Sequence, residues 1–295
     1  MNKLSSKNKG VFFIILSAFC FAMMNVLVRM AGDLPFIQKS FFRNFVAFFF
    51  ALILMYKQGI KLQIPKGAKF DLILRATFGT IGIFCNFYAI DHMLVSDASM
   101  LNKLSPFFVI IFSYFILSEK IKPFQGFCVA LAFFGTLFVI KPGFTGMPIM
   151  PAIIGILGGM CAGAAYTYVR KLGTKGVKGP FIVFFFSLFS CMVSLPFLII
   201  QYVPMSLYQF LILMLTGLAA SGGQFFITAA YTHAPASEIS IYDYSQIIFA
   251  TLLSFIFLGQ IPDLYSFVGY TIICIASIIM FLYNNNKILN KKEVN

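Results

Sequence analysis

Few side chains in this 295-residue chain could do chemistry, and most of those that could interrupt apolar runs. Arg43, Lys103 and Asp243 are charged. Asn25, Asn86, Asn102 and Gln224 carry amides, and Ser99, Ser240, Tyr166 and Tyr244 carry hydroxyls. Guanidinium and ammonium groups hold a carboxylate or phosphate, and a carboxylate holds an amine, so the set suits recognition of a polar or zwitterionic metabolite. It does not suit bond making. No HExxH, paired acids or Ser/His/Asp set is present, so an enzyme is not expected, and without a Walker A motif neither is ATP hydrolysis. The six cysteines, Cys20, Cys85, Cys128, Cys161, Cys191 and Cys274, all lie in apolar runs with no CxxC or Cys/His cluster, so no metal site, disulfide framework or cofactor is expected.

Hydrophobic types make up 60% of the chain and charged types 11%, against about 25% charged in a soluble domain. The mean hydropathy is +0.92. So few charges cannot cover a water-soluble globule, and a polytopic helical membrane protein in the lipid bilayer follows. The net charge of +13 does not point to nucleic acid, because the basic residues sit mostly between apolar runs, as in loops at a membrane surface. Lys3, Lys7 and Lys9 before the run from Val11 resemble a signal peptide. That run is long enough to span, and a retained first span is expected.

A spanning helix needs about 20 apolar residues. Ten runs qualify, at 11–30, 37–56, 70–90, 97–117, 123–140, 151–170, 180–201, 207–230, 237–258 and 264–283, separated by glycines and prolines. With the amino terminus inside, Lys57, Lys61, Lys120, Lys171, Lys175 and most other loop cations fall inside, and Arg29, Lys39 and Lys141 outside. Both termini are therefore expected in the cytoplasm, with the chain in the inner membrane.

A shift of 141 residues aligns the chain with itself without a gap. Cys20 meets Cys161, Val28-Arg29 meets Val169-Arg170, Gly82 meets Gly223, His92 meets His233, Ser99 meets Ser240 and Ser113 meets Ser254. The expected domains are two five-helix repeats, 1–145 and 146–295. Five is odd, so the second repeat is inverted relative to the first. Secondary transporters are commonly built in this way, with the substrate near mid-membrane.

The stretches Phe87-Tyr88-Ala89-Ile90, Ser96-Asp97-Ala98-Ser99, Leu104-Ser105-Pro106 and Leu117-Ser118-Glu119-Lys120-Ile121, with Arg43 in the second helix, resemble the ten-helix EamA-like branch of the drug/metabolite transporter superfamily. The resemblance spans essentially the whole chain. It implies a secondary active transporter that works by alternating access. An amino acid or amino-acid derivative is the leading cargo. Alternatives are uptake or exchange of S-adenosylmethionine or a nucleotide-type metabolite, and export of drugs or quaternary amines. Ile247, Gln260 and Phe184 stand where Pro106, Glu119 and Arg43 would repeat.

Ser99, Asn102, Pro106, Val109 and Ser113 share one face of helix 4, and Ser240, Asp243, Ile247, Ala250 and Ser254 the same face of helix 9. The two faces read as cavity walls or as a hydrogen-bonded helix interface. Lys103 and Asp243 each lie about 9 Å into their helices from opposite surfaces, leaving roughly 12 Å between them along the normal. The expectation is an outer half holding Arg43 and Lys103 and an inner half holding Asp243, with Arg75 snorkelling to the inner surface. Asp243 is read as accepting a substrate amine or as a proton-coupling acid, which makes protons a candidate coupling ion. Asp97 and Glu238 are read as helix-start residues. Rows of small residues, Ala18 with Ala22 and Gly155, Gly159 and Gly163, are expected to pack helices closely. A homodimer interface is the second reading, so monomer and homodimer both remain open.

Overall fold

The computed structural model describes residues 6–64, 67–117, 123–140, 149–233 and 240–292. Ten membrane-crossing segments follow one another: α1 (Ser6–Met30), α2 (Phe36–Lys57), α3 (Lys69–His92), α4 (Val95–Leu117, in two pieces), α5 (Pro123–Ile140), α6 (Ile149–Thr174), α7 (Gly179–Ile200), α8 (Leu207–His233), α9 (Ser245–Leu258 after a 3-10 turn Ser240–Tyr244) and α10 (Leu264–Lys292). Among the described residues there is no strand. A backbone in hydrocarbon has no water to bond, so these apolar runs close their own hydrogen bonds as helices. Punctuation is local. Pro35 caps α2, Pro180 opens α7, and α9 stops at Gly259, whose φ of 64° is cheap only for glycine. Exposed Phe49, Phe115, Ile199 and Ile248 belong to the lipid-facing surface.

The packing shows the inverted repeat. α1 packs on α8 and α9, and its counterpart α6 packs on α3 and α4. α2 packs on its own counterpart α7, α5 on α10, and α4 on α9. α1 ends where α8 starts, with Gln209 Nε2 donating to the Ala31 carbonyl. α6 ends where α3 starts, with Lys171 and Lys175 at 3.0 and 2.6 Å from the two oxygens of Asp71. The first end also holds Lys39 against Asp91, and α3 runs from Asp71 to Asp91, so the counterparts α1 and α6 finish on opposite faces.

At the Gln209 end, the halves are joined by neutral groups. Gln38 both donates to and accepts from the backbone of Val203, at 2.9 and 3.0 Å, and the Val95 N–H donates to Gln260. Arg29 donates to the Asp91 carbonyl within the first half.

Asp97 is not a cap. The residue before α4 is Leu94, with no side-chain capping bond, and Asp97 is buried and accepts the Tyr270 hydroxyl at 2.5 Å. Its counterpart Glu238 lies outside the described residues, as do Ser118, Glu119, Lys120 and Ile121. His92 ends α3, with Nδ1 2.8 Å from the Tyr88 carbonyl and its ring stacked on Tyr88. It has a local packing role, and Tyr88 is turned to it rather than to the centre.

The run read as one continuous helix 4 is broken after Asn102. Pro106 has no N–H to return to the Asn102 carbonyl, and the Phe107 N–H bonds the Leu104 carbonyl instead of that of Lys103. The freed Lys103 carbonyl accepts the Tyr244 hydroxyl at 3.1 Å. Glycines on α6 let the break come close. A Cβ on Gly159 would lie 2.7 Å from the Leu101 carbonyl oxygen, and one on Gly163 2.6 Å from the Phe108 Cβ and 2.9 Å from the Ser105 carbonyl oxygen. The small-residue row thus packs helices inside the bundle. Gly163→Leu is expected to abolish a monodisperse peak in detergent size-exclusion chromatography. Gly173→Ala, with open space around it, should elute normally and gain up to about 1 kcal/mol of helix stability.

Candidate functional site

The break in α4 and the 3-10 turn before α9 meet at the centre of the bundle. Lys103 and Tyr244 are counterparts under the 141-residue shift, and their contact marks the pseudo-two-fold axis. One residue away, Lys103 Nζ donates to Asp243 Oδ2 at 2.5 Å, with both side chains nearly closed to solvent. This corrects the expectation that the two charges occupy separate halves of the cavity. α4 begins at Val95, two residues before the run counted from residue 97, so Lys103 lies further along its helix than that count allows. A depth counted from the membrane face therefore places Lys103 too shallow. The 3-10 turn also rises about 2.0 Å per residue rather than 1.5 Å, carrying Asp243 deeper.

Beside this pair lies a cavity of about 80 Å³. Its walls include Asn25, Arg43, Asn86, Asn102, Lys103, Tyr166, Gln224 and Asp243, eight of the side chains singled out in the sequence. Both repeats contribute, and the counterparts Asn25 and Tyr166 face it together. Ser99 stands behind the wall, fully buried, and accepts from Asn25 Nδ2 at 2.9 Å. Tyr244 is taken up by the Lys103 carbonyl. Ser240 opens the 3-10 turn, and its side chain lies outside the described residues. Among the described side chains of the polar stripe, Asn102 and Asp243 form cavity wall. Further along α9, Ser254 bonds its own helix at the Thr251 carbonyl.

Arg75 does not snorkel to a surface. It is 3% exposed and lines the cavity with Arg43, which is 2% exposed. Both guanidinium carbons lie against the Phe186 ring, 4.3 Å from its centroid for Arg75 and 5.7 Å for Arg43. Gly79 makes room, since a Cβ there would lie 2.2 Å from Arg75 Nη1. The signal was present in the sequence. Arg75, Gly79, Gly82 and Asn86 repeat at helical spacing, so Arg75 shares the face of Asn86. Gln246, also on the wall, is a polar residue inside an apolar run and carries the same signal as Gln224, whereas Phe186 carries none in so phenylalanine-rich a chain.

Arg43 Nη1 donates to Asn44 Oδ1, and Asn44 Nδ2 in turn donates to Ser190 Oγ, which ties the arginine to the α2–α7 contact. Arg43 Nε, Arg75 Nε and Arg75 Nη1 are buried donors without a protein acceptor. Asp243 Oδ1 and Asn86 Oδ1 are buried acceptors without a donor. Among the described residues, no group of three or more metal-binding side chains occurs.

Ten crossing helices in two inverted halves around a polar cavity define a membrane carrier of small solutes. The chain belongs to the EamA-like transporter family, whose model matches it twice, over residues 8–141 and 149–282. It lies within the drug/metabolite transporter superfamily and is a transporter, not an enzyme. It is 31% identical over 271 residues to the pseudopaline exporter CntI of Pseudomonas aeruginosa, covering 91% of this chain and 94% of that one. It is 25% identical over 283 residues to human solute carrier family 35 member G1, covering 91% and 77%. A crystal structure at 16% identity shares the fold, with a TM-score of 0.65 over 95% of this chain and 98% of the other.

Removing one partner of a buried ion pair strands the other, at a cost of about 3–5 kcal/mol. Lys103→Met and Asp243→Leu should each lower the thermal-unfolding midpoint in detergent. The double variant should recover most of the loss, because it strands no charge.

Proposed function

We propose that this protein is a secondary active transporter for a compact amino acid or amino-acid derivative, bound in the central cavity and moved by rocking of the two halves. One observation carries this reading: the cavity's lining presents buried groups without protein partners of both kinds, guanidinium donors on Arg43 and Arg75 and the acceptors Asp243 Oδ1 and Asn86 Oδ1. A cargo carboxylate meets the first set and a cargo amine the second. Asn25, Asn102, Tyr166 and Gln224 supply neutral hydrogen-bonding groups between them.

Export is the favoured direction, on the strength of the similarity to a pseudopaline exporter. In this reading the protein sits in the inner membrane with both termini cytoplasmic, the side to which most loop lysines fall. Asp243 is the group through which proton coupling would act, since protonation releases Lys103 as well as the cargo amine.

Counterflow in proteoliposomes against a panel of labelled amino acids tests the assignment. Accumulation is expected for at least one member, falling at least tenfold in Asn25→Ala or Gln224→Ala and unchanged in the exposed variant Lys57→Ala. Loss of the pH-gradient response in Asp243→Asn with exchange intact would assign Asp243 to proton coupling, and loss of exchange itself would assign it to the cargo amine. No counterflow with any member would remove the assignment.

A further inference from the structure

The central cavity holds more positive than negative charge. Arg43, Arg75 and Lys103 bring three cations to its wall, and Asp243, the one acid on that wall among the described residues, is paired with Lys103. Neither guanidinium has a carboxylate within salt-bridge distance among the described residues. Both are at least 97% buried. Uncompensated charge at such a position costs several kcal/mol, and surrounding dipoles offset only part of it. Here the offset from protein is small. Arg43 has the Asn44 amide oxygen and a face of Phe186, and Arg75 has Phe186 alone, with two of its nitrogens bonded to nothing.

The imbalance does not follow from the repeat. The counterparts of Arg43 and Arg75 in the second half are Phe184 and Thr216. Thr216 turns its hydroxyl back to the Ile212 carbonyl of its own helix. Both unneutralised cations thus come from one half, on neighbouring helices α2 and α3, braced against an aromatic ring from α7.

We infer that the cargo carries two separate anionic groups on one small skeleton, a dicarboxylate or aminodicarboxylate, one group on Arg43 and the other on Arg75. This rests on the carrier reading above and narrows its cargo. A monocarboxylate zwitterion would neutralise one guanidinium and leave the other stranded. A cargo amine, where present, sits at Asp243 Oδ1. Phe186 braces the two guanidiniums side by side on the cavity wall.

Thermal shift on the purified full chain tests this with size-matched pairs: aspartate against asparagine, glutamate against glutamine, and succinate and glutarate against their monoamides, with inorganic phosphate as a single-centre anion. At least one dianion should bind about tenfold or more tighter than its monoamide, the worth of one charge-assisted contact. Arg43→Gln and Arg75→Gln should each bring that ratio near one, whereas Arg75→Lys should keep it. The ratio is read only in variants that elute as monodisperse protein. A variant that merely loosens the fold weakens both members of a pair and leaves their ratio intact. Equal binding of acid and monoamide, no binding by any dianion, or phosphate binding as tightly as the dicarboxylates would overturn the inference. Counterflow of a monoanion or a neutral amine would overturn it while leaving the carrier assignment standing. Absence of counterflow with any solute removes both.

Discussion

The contact between Lys103 and Asp243 is the constraint around which the rest is arranged. Two opposite charges meet at the pseudo-axis, nearly closed to solvent in the middle of the bundle. Everything nearby serves to bring them there. The proline-broken α4 and the 3-10 entry to α9 lower the two residues to a common depth, and Tyr244 locks the freed carbonyl. Glycines on α6 let the broken segment approach. Side-chain hydrogen bonds between membrane helices contribute only about 0.6 kcal/mol on average. The unequal price of stranding either charge is therefore the stronger reason for the two halves to stay in register.

Much of this architecture is legible in the sequence because lipid makes the code simple. A run of about 20 apolar residues has one structural outcome, and a constant self-shift has one topological reading when the helix number per repeat is odd. Eight of eleven singled-out residues reach the cavity wall for an equally simple reason, since a polar side chain in an apolar span has nowhere else to go. Depth was the harder quantity. Counting residues from a surface assumes a straight helix that starts at that surface. α4 starts two residues earlier than the apolar run suggests and breaks after Asn102, and α9 enters through a tighter turn, so Lys103 and Asp243 meet where linear counting separates them. Arg75 misled in the same way. Its place in the chain suggested an interface, while its helical phase with Gly79 and Asn86 pointed inward.

The fold is nearly symmetric and its chemistry is not. Helix pairing is preserved when the halves are exchanged, and so are small residues such as Gly82 and Gly223, each pressed against the opposite half. Cations have gathered on one repeat and the acid on the other. Duplication supplies a two-fold scaffold, and substitution on each half then supplies a cavity whose charges differ from side to side.

The two ends of the bundle are joined by different kinds of bond. Amide side chains on main-chain groups close the Gln38 end, whereas half-exposed ammonium groups around the Asp71 carboxylate close the other. Neutral dipoles are indifferent to dissolved ions, but Coulomb contacts at a wet surface weaken as the Debye length shrinks. Raising ionic strength therefore weakens the junction of the two halves at the Asp71 end and spares the one at the Gln38 end, so the bundle's two ends differ in their sensitivity to dissolved electrolyte.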